Sequence, residues 1–276
     1  MASYDDQAGF WNDEAGPRWV RAEARLDRML APITARLMEA ADAAEGERAV
    51  DIGCGCGETT LALADRVGAT GSVLGIDISA PMLKRARARN RASHVQLERA
   101  DAATYQFDAK SADLVLSRLG VMFFADSTAA FSNIRAAMRD DGRCVFACWQ
   151  SLDENPWLSF PLEAAGDLVP PPPPRPEGAP GPFRFADRER TTRMLHDAGF
   201  GAVAIEPLET NVPISGSVDE ILEFFLEFGP ASRAFVELER ADHDEAVARV
   251  RAALTDHHDG QGVTWPAASL IVRATG

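Results

Sequence analysis

Hydrophobic positions over residues 48–77 change from strand-like to helix-like spacing and back again. An apolar run at 49–52 leads into a glycine-rich stretch, residues 58–67 then place apolar side chains every three to four positions, and a second apolar run follows at 71–76. Short continuous apolar runs are typical of buried strands, whereas the wider repeat is typical of an amphipathic helix. We therefore predict a strand, a glycine loop, a helix and a second strand, with Asp77 at the tip of the second strand.

The rest of the chain continues this alternation. Leu26, Met29, Leu30, Ile33 and Leu37 recur at helical spacing and predict N-terminal helices that pack on the core. Alternating strands and helices indicate a mostly parallel sheet covered by helices, which places the chain in the α/β class. Further strands are predicted at 95–98, 113–116, 143–149, 202–205 and 269–272, and further helices at 82–91, 127–141, 187–198, 217–228 and 247–254.

Several helix ends carry specific signals. Ser79 is a good N-cap, and Asp126 or the serine after it begins another helix, which Gly142 is expected to end. Ser217 and Glu220 have the spacing of a capping box. These signals fix where the predicted helices start more closely than the apolar spacing does.

Asp51, Gly53, Gly55, Gly57 and Asp77 form the stretch with the clearest chemistry. Glycine lets the backbone turn sharply and approach a ligand closely, because no Cβ stands in the way. An acid at the tip of the following strand can accept hydrogen bonds from both hydroxyls of a ribose. The spacing therefore predicts a nucleoside-binding site.

The kind of nucleoside follows from the third glycine and from the acid before the loop. A dinucleotide site has the pattern Gly-x-Gly-x-x-Gly, which would put the third glycine where this chain has Glu58. The Asp51 carboxylate would repel a pyrophosphate and attract a ligand that carries ammonium and sulfonium groups. The run Asp-x-Gly-x-Gly-x-Gly from Asp51 to Gly57 resembles motif I of the class I S-adenosylmethionine (SAM) methyltransferases at every fixed position.

A second stretch strengthens this resemblance. Residues 117–124 read Ser-Arg-Leu-Gly-Val-Met-Phe-Phe, similar to a run after the fourth strand in a family of bacterial methyltransferases, and the chain resembles the ubiquinone and menaquinone biosynthesis type. The resemblance implies a Rossmann-like sheet of seven mostly parallel strands with an antiparallel last strand, SAM as the cofactor, and methyl transfer to a small molecule. It also implies the following cofactor-binding residues: Trp19, Asp51, Gly53, Cys54, Gly55, Asp77, Ile78, Met82, Asp101, Ala102 and Ser117.

An aromatic acceptor pocket is expected beside this site, because ligands of open parallel sheets sit at the carboxyl ends of the strands. Arg118, Phe123, Trp149 and Trp157 follow predicted strands and are the candidate pocket residues. Arg118 can alternatively form a structural ion pair, and the aromatic residues can alternatively be ordinary core. No side chain is placed by a motif to act as a general base, so the catalytic residues stay unknown.

Composition and charge narrow the partners. The 276 residues are 46% hydrophobic and 25% charged, which suits one large α/β domain. The net charge of −14 repels phosphate backbones, so a small-molecule acceptor is expected rather than nucleic acid, and the basic run on helix 82–91 is expected to be a solvated face. The N terminus lacks a leader pattern and no segment has the length of a membrane span, so we expect a cytoplasmic protein without a membrane partner.

The four cysteines do not suggest a metal site. Cys54 and Cys56 alternate with glycines, and Cys144 and Cys148 lie on a predicted buried strand, a pattern without the usual ligand spacing. We interpret them as small packing residues. His257 and its neighbour His258 point apart on a helix and are expected to be an exposed helix end.

Three parts of the chain are expected. Residues 1–46 form an N-terminal helical cap, residues 47–150 form the SAM-binding core, and residues 151–276 complete the same domain with a helical lid at about 215–260. The proline-rich run at 170–182 predicts a stiff connector. The alternative to an enzyme is a SAM-binding protein without turnover that acts as a partner or regulatory subunit.

Overall fold

The computed structural model describes residues 4–170, 178–229 and 231–276, and seven strands within these ranges form one sheet. The strands are Arg48–Ile52 (β1), Ser72–Asp77 (β2), Val95–Arg99 (β3), Ala112–Arg118 (β4), Met138–Trp149 (β5), Ala202–Ser215 (β6) and Gly262–Thr275 (β7). Their order across the sheet is β3-β2-β1-β4-β5-β7-β6. Parallel pairing runs from β3 to β5, whereas β7 is antiparallel to both β5 and β6. The expected Rossmann-like sheet with an antiparallel last strand is confirmed.

Helices precede the first strand and connect most of the strands of the sheet. The first of them, α1, continues through a π-helical turn, Phe10–Glu14, into the long helix α2. The helices are Tyr4–Gly9 (α1), Ala15–Ala41 (α2), Glu58–Val67 (α3), Ala80–Arg89 (α4), Ser127–Ala137 (α5), Pro156–Ala165 (α6), Arg188–Asp197 (α7), Val218–Glu227 (α8), Ala231–Val236 (α9) and Arg240–His257 (α10). Among the described helices, none is both long enough and apolar enough to cross a membrane.

The core forms where apolar strands meet the apolar stripe of α2. Leu114 and Leu116 of β4 are fully buried, and Ile33 and Leu37 of α2 belong to the same buried cluster. Each such side chain stabilises the fold by roughly 1.5–3 kcal/mol relative to an exposed position. The spacing that predicted an N-terminal helix packed on the core is therefore confirmed.

The position of β1 determines where a ligand can approach the sheet. β1 has β2 on one side and β4 on the other, so the chain leaves the centre of the sheet in two directions at this point. The connections that follow β1 and β4 therefore run in opposite directions from the carboxyl ends of these strands, and a crevice is left between them. The glycine loop at the end of β1 lies in this crevice.

One predicted helix end is wrong. α5 ends at Ala137, and Met138 already pairs with Ala112 of β4, so Gly142 lies inside β5 and does not terminate the helix. Met138 is fully buried in the sheet. Its apolar character fits the inner face of a helix and a buried strand equally well, which is why the spacing misplaced the boundary.

The last two strands are longer than predicted. β6 and β7 pair along their whole length of 14 residues each. Much of β6 is exposed and carries polar residues such as Glu206 and Glu209, while Val212 and Ile214 are fully buried. A solvated outer strand of this kind shows no continuous apolar run over its whole length, so its sequence indicates only the first segment, 202–205.

The segment between β6 and β7 contains α8, α9 and α10, and it contacts the N-terminal helix. The capping box at the start of α8 is confirmed, with Ser217 N–H donating to Glu220 at 2.7 Å and Glu220 N–H donating back to the Ser217 hydroxyl at 3.3 Å. Arg25 of α2 donates to the Glu220 carbonyl at 2.8 Å, and Arg21 pairs with Glu227 at 3.1 Å. Of the proline-rich connector predicted at 170–182, residues 171–177 lie outside the described part of the chain.

Candidate active site

The glycine loop after β1 packs directly on the loop after β4. Gly53, Gly55 and Gly57 have φ values of +67°, +55° and +89°, which glycine adopts without strain. A Cβ on Gly53 would lie 2.8 Å from the Cα of Gly120, so the two loops touch through their backbones. A Cβ on Gly55 would lie 2.8 Å from the terminal methyl of Met82. The glycines therefore create a cradle that a larger residue would fill.

Asp77 is held at the tip of β2 beside this cradle. One carboxylate oxygen accepts the Gly55 N–H and the other accepts the Ser79 N–H, both at 2.8 Å. Burial raises the pKa of the Asp77 carboxyl above its ordinary value, and the Ser79 and Gly55 N–H groups act in the opposite direction. Each oxygen has further lone pairs, so a carboxylate fixed in this way can accept from the two hydroxyls of a ribose.

Asp51 lies beneath the loop and is fully buried. One of its oxygens accepts the hydroxyls of Thr59 and Thr60 at 2.7 and 2.6 Å. The other oxygen has no hydrogen-bond partner within the described structure. Burial raises the pKa of Asp51 to about 6, against the opposing effect of the two threonine hydroxyls. Asp51 thus links β1 to the first turn of α3. It also places under the cradle a carboxylate whose burial costs free energy.

A cavity of about 50 Å³ lies between the glycine loop and α2. Six of the predicted site residues line it, and so do eight residues that were not predicted to belong to the site. The predicted residues are Trp19, Gly53, Cys54, Gly55, Met82 and Arg118. The additional ones are Glu23, Leu26, Asp27, Leu30, Cys56, Glu58, Thr59 and Leu119.

Two acids from α2 are the main addition to the predicted site. Glu23 and Asp27 pair with Arg89 of α4 at 2.7 and 3.1 Å, Arg89 also pairs with Glu58 at 2.5 Å, and Arg85 pairs with Glu23. The expectation that this basic helix is only a solvated face is therefore wrong for Arg89, whose side chain holds α2 on the core. The available signal was an acid pair four residues apart on the apolar face of α2.

Asp27 also pairs with Arg118, the last residue of β4. The distance from Asp27 Oδ1 to Arg118 Nη2 is 3.4 Å, and Arg118 Nη1 donates to the Thr34 hydroxyl at 2.8 Å. Burial raises the pKa of the Asp27 carboxyl above its ordinary value, while Arg118 and Arg89 act in the opposite direction. Arg118 therefore both lines the cavity and forms an ion pair, so the two alternatives for this residue hold together.

The N-terminal segment docks on the turn that follows Asp77. Asn12 donates to the Ile78 carbonyl at 3.1 Å and accepts the Ala80 N–H at 2.9 Å, which caps α4 from outside the helix. Ser79 occupies the N-cap position as predicted, but its hydroxyl donates to the Trp11 carbonyl at 2.8 Å and makes no capping bond. Trp11 and Asn12 therefore hold the turn that follows Asp77 through three hydrogen bonds.

The predicted aromatic residues fall into two separate groups. Trp11 packs edge-on against Phe123 and Trp19, with ring centroids 5.2 and 6.0 Å apart, and Trp19 contacts Phe228 at the end of α8. This first group joins the N-terminal helices to the segment between β6 and β7 at the edge of the cavity.

The second group lies in the core. Trp149 and Trp157 are both buried and contact each other with ring centroids 5.5 Å apart. The Trp157 indole N–H donates to Asn155 at 3.4 Å, and the Asn155 amide in turn bonds the backbone of Ala268. These two tryptophans are not part of the wall of the cavity between the glycine loop and α2.

The remaining predicted residues lie around the crevice without lining the cavity. Asp101 follows β3 and accepts the Ala103 N–H at 2.9 Å, and Ala102 is buried. The buried Ser117 hydroxyl donates to the Ile52 carbonyl at 2.7 Å. Ser117 thus fastens β4 to the end of β1.

The cysteines pack as small residues. All four are buried free thiols, and burial raises the pKa of Cys56 and of Cys144 to about 12, so both remain protonated and uncharged at neutral pH. Across the described ranges there is no group of three or more side chains arranged to hold a metal ion.

Comparison with known proteins agrees with this geometry. Residues 49–142 match the family model described as a methyltransferase domain. This matched region is therefore similar to a methyltransferase domain. The glycine loop, Asp77 and Arg118 lie within the matched region, whereas Glu23 and Asp27 of α2 precede it.

Curated relatives match part of this chain over part of their own length. The aklanonic acid methyltransferase DauC of Streptomyces sp. (strain C5) is 36% identical over 118 residues, 42% of this chain and 54% of that protein. The nocamycin O-methyltransferase of Saccharothrix syringae is 35% identical over 116 residues, 41% of each chain. A demethylmenaquinone methyltransferase of Lactobacillus johnsonii is 31% identical over 129 residues, 45% of this chain and 52% of that protein. The chain thus spans about half the length of these relatives.

Solved structures share the fold over most of this chain. The match to the YcgJ protein of Bacillus subtilis covers 87% of this chain and 96% of that protein, with a TM-score of 0.55 and 16% identity. The match to phosphoethanolamine N-methyltransferase 2 of Haemonchus contortus, solved in complex with SAM, covers 88% of this chain and 52% of that protein. Its TM-score is 0.52 and the identity is 18%. At these identities the likeness concerns the fold.

Proposed function

We propose that this protein is a SAM-dependent methyltransferase that acts in the cytoplasm on a small hydrophobic or aromatic molecule. The observation that carries the proposal is the fixed Asp77 carboxylate next to a loop in which Gly53 leaves no room for a Cβ and Gly55 has a φ of +55°. A ribose nucleoside needs both features at once, a close backbone approach and an acid for the two hydroxyls. The match of residues 49–142 to a methyltransferase domain supports the same cofactor class.

The residues around the crevice fit SAM in charge as well as in shape. Glu23, Asp27 and Glu58 give the cavity wall three carboxylates against the single guanidinium of Arg118. The fully buried Asp51 adds a further carboxylate below the loop. Arg85 and Arg89 neutralise part of this negative charge, and the remaining carboxylate charge favours a ligand with ammonium and sulfonium groups over a pyrophosphate. We propose the following cofactor contacts: Trp19, Gly53, Cys54, Gly55, Asp77, Ile78, Met82, Asp101 and Ala102, with Asp51 and Ser117 supporting the loop from below.

The chain's part in the reaction is mainly positioning. Bound SAM supplies a methyl group that its sulfonium activates for displacement. Asp77 holds the ribose end, the glycine loop fixes the centre, and α2 covers the site and keeps water out. Alignment of the reacting atoms and exclusion of water account for much of the rate enhancement in sites of this kind.

The proposed acceptor class rests on the apolar side of the cavity. Trp19, Leu26, Leu30 and Leu119 line it, and Phe123 packs beside it through Trp11. Apolar walls with a few polar groups suit small organic ligands. The relatives are named for aklanonic acid, nocamycin and demethylmenaquinone, which supports a small-molecule acceptor. The net charge of −14 disfavours nucleic acid.

The test uses the purified chain, SAM labelled in its methyl group, and a fractionated cell extract. We expect the label in the organic-soluble small-molecule fraction, together with release of S-adenosylhomocysteine. Label mainly in RNA or protein would contradict the proposed acceptor class. Binding of SAM without release of S-adenosylhomocysteine in any fraction would favour the non-catalytic alternative.

Asp77→Ala provides the matched test of the cofactor site. Hydrogen bonds to a charged group contribute about 1.5–3 kcal/mol each, so the loss of two should weaken binding of S-adenosylhomocysteine at least tenfold. Asp113→Ala is the control, because Asp113 accepts the Arg48 N–H at the opposite end of the strands. Calorimetric titration of the two variants measures the difference, and unchanged affinity in Asp77→Ala would remove the assignment.

A further inference from the structure

Helix α2 carries a proline in its interior, which divides the helix into two parts. Pro32 has no N–H for the carbonyl of Arg28, and its ring crowds that carbonyl. Two residues later, Thr34 donates its hydroxyl to the Leu30 carbonyl at 3.1 Å, a side-chain bond of a kind that bends helices. The backbone of α2 is therefore easiest to bend between residues 28 and 34.

The part of α2 that follows Pro32 is fixed in the core. Leu37 and Ala41 are fully buried. Arg143 of β5 donates to the carbonyls of Ala41 and Asp42 at 2.6 and 2.7 Å, so it satisfies two carbonyl groups at the end of the helix. This part of the helix cannot move without disrupting the core.

The part of α2 that precedes Pro32 lies over the cavity and has fewer apolar contacts. The side chains of residues 17–25 are all half-buried or exposed. Leu26 and Leu30 line the cavity itself. A movement of this part therefore exposes less apolar surface than a movement of the part that follows the proline.

Arg89 of α4 is the central contact between this first part of α2 and the rest of the protein. Its guanidinium pairs with Glu23 and Asp27 of α2 at 2.7 and 3.1 Å and with Glu58 of α3 at 2.5 Å. It also donates to the Cys56 carbonyl in the glycine loop at 3.2 Å. Without this cation the three carboxylates would repel one another, so Arg89 holds α2 closed over the loop.

We propose that residues 15–31 form a hinged cover, which turns about Pro32 and is held shut by Arg89. In the closed arrangement the cavity measures about 50 Å³. Opening also breaks the hydrogen bonds of Trp11 and Asn12 to the turn that follows Asp77. The role of the cover in ligand exchange rests on the proposed function, whereas the movement itself rests only on the packing of α2.

The cysteines of the chain report whether the cover opens. Cys54 and Cys56 line the cavity that α2 covers, whereas Cys144 and Cys148 are buried in β5. Alkylation of the ligand-free protein with iodoacetamide, followed by peptide mass spectrometry, measures the two pairs separately. We expect the cavity pair to react at least about tenfold faster than the strand pair, because a local opening costs less free energy than unfolding of the sheet.

Two substitutions should shift this rate ratio in opposite directions. Pro32→Ala supplies the missing N–H and stiffens the helix, so the cavity pair should react about tenfold more slowly relative to the strand pair. Arg89→Met leaves the three carboxylates without their shared partner, so the cavity pair should react about tenfold faster relative to the strand pair.

The matched controls are Pro161→Ala and Arg249→Met. Pro161 also lies inside a helix, α6, and Arg249 of α10 also pairs with two acids, Asp167 and Glu245. None of these four residues lines the cavity between the glycine loop and α2. Both controls should leave the rate ratio of the two cysteine pairs unchanged.

Equal reaction rates of the two cysteine pairs in the parent would overturn the hinge, because the cavity would then open only when the whole chain unfolds. An unchanged ratio in Pro32→Ala would also overturn it, and this test stands even if Arg89→Met does not fold. S-adenosylhomocysteine should slow the reaction of the cavity pair in the parent. If the variants behave as expected but S-adenosylhomocysteine gives no protection, the proposed function fails and the hinge stands.

Discussion

At the scale of single residues, the buried Asp51 shows how a binding site is built at a cost in stability. Its carboxylate is fully buried and accepts two threonine hydroxyls, while its other oxygen has no partner in the described structure. An unpaired buried polar atom costs free energy that folding has to offset elsewhere. Local rules of stability would not place a carboxylate here, which fits a role in the site.

The pH dependence of stability tests this view of Asp51. Its pKa rises from 3.8 to about 6 on folding. Between these values the unfolded chain loses the proton and the folded chain keeps it, so stability falls as pH rises and levels off above about 6. Asp51→Asn removes this loss, which corresponds to about 3 kcal/mol. We expect the variant to become the more stable protein, relative to the parent, between about pH 4 and about pH 7.

Urea denaturation of both proteins across this range measures the difference in the free energy of unfolding. Asp108→Asn, at an exposed position, controls for the loss of one negative charge. If the difference in the free energy of unfolding between Asp51→Asn and the parent did not change with pH, it would contradict the burial cost inferred for Asp51.

At the scale of elements, the N-terminal segment completes a helix that begins 68 residues later. Asn12 accepts the Ala80 N–H at the start of α4 and donates to the Ile78 carbonyl. The same turn contains the Ser79 N–H that holds the Asp77 carboxylate. The order of this turn, and with it the ribose site, therefore depends on a residue at the beginning of the chain.

Asn12→Ala should weaken binding of S-adenosylhomocysteine several-fold and lower stability by about 1 kcal/mol, the usual cost of losing a cap. Asp187→Ala is the matched control, because Asp187 caps α7 by accepting the Arg190 N–H at 3.0 Å. It should cost a similar amount of stability and leave the affinity unchanged. A thermal melt beside a binding titration separates the two effects. Equal affinities in the two variants would show that the N-terminal segment only stabilises the fold.

At the scale of the whole molecule, the small cavity implies that α2 or its side chains move when a ligand binds. The space between the glycine loop and α2 is about 50 Å³, whereas pockets for organic ligands usually measure about 300–1,000 Å³. The ion pairs of Arg89 and the contact of Trp19 with Phe228 hold α2 down from both sides. A nucleoside can enter only when some of these contacts yield.

Intrinsic fluorescence should report this movement. Trp19 lines the cavity, so titration with S-adenosylhomocysteine should change the tryptophan emission, and Trp19→Phe should lose most of that change. Trp157→Phe, at a buried position of α6 that does not line the cavity, should keep it. If Trp19→Phe kept the full change in tryptophan emission, this part of α2 would stay in place when the ligand binds.

The sequence alone was enough for much of the fold and for part of the site. Apolar runs, glycines and caps predicted the seven strands, the α/β class and the cradle with Asp77, because these depend on backbone rules that act within a few residues. The end of α5 and the lengths of β6 and β7 were not predictable in this way. Met138 suits a helix or a strand, and the solvated part of β6 has no apolar run.

The partners of polar side chains were decided only by the tertiary structure. Glu23 and Asp27 meet Arg89, Arg118 meets Asp27 across 91 residues, and Asn12 meets Ala80 across 68. From the sequence alone, a charged residue is predicted to lie at the solvated surface, whether or not another segment covers it in the folded protein. The sequence therefore determined the loop that can receive a nucleoside, and the packing of α2 over that loop determined which charges surround it, because electrostatic partners depend on distance in space and not along the chain.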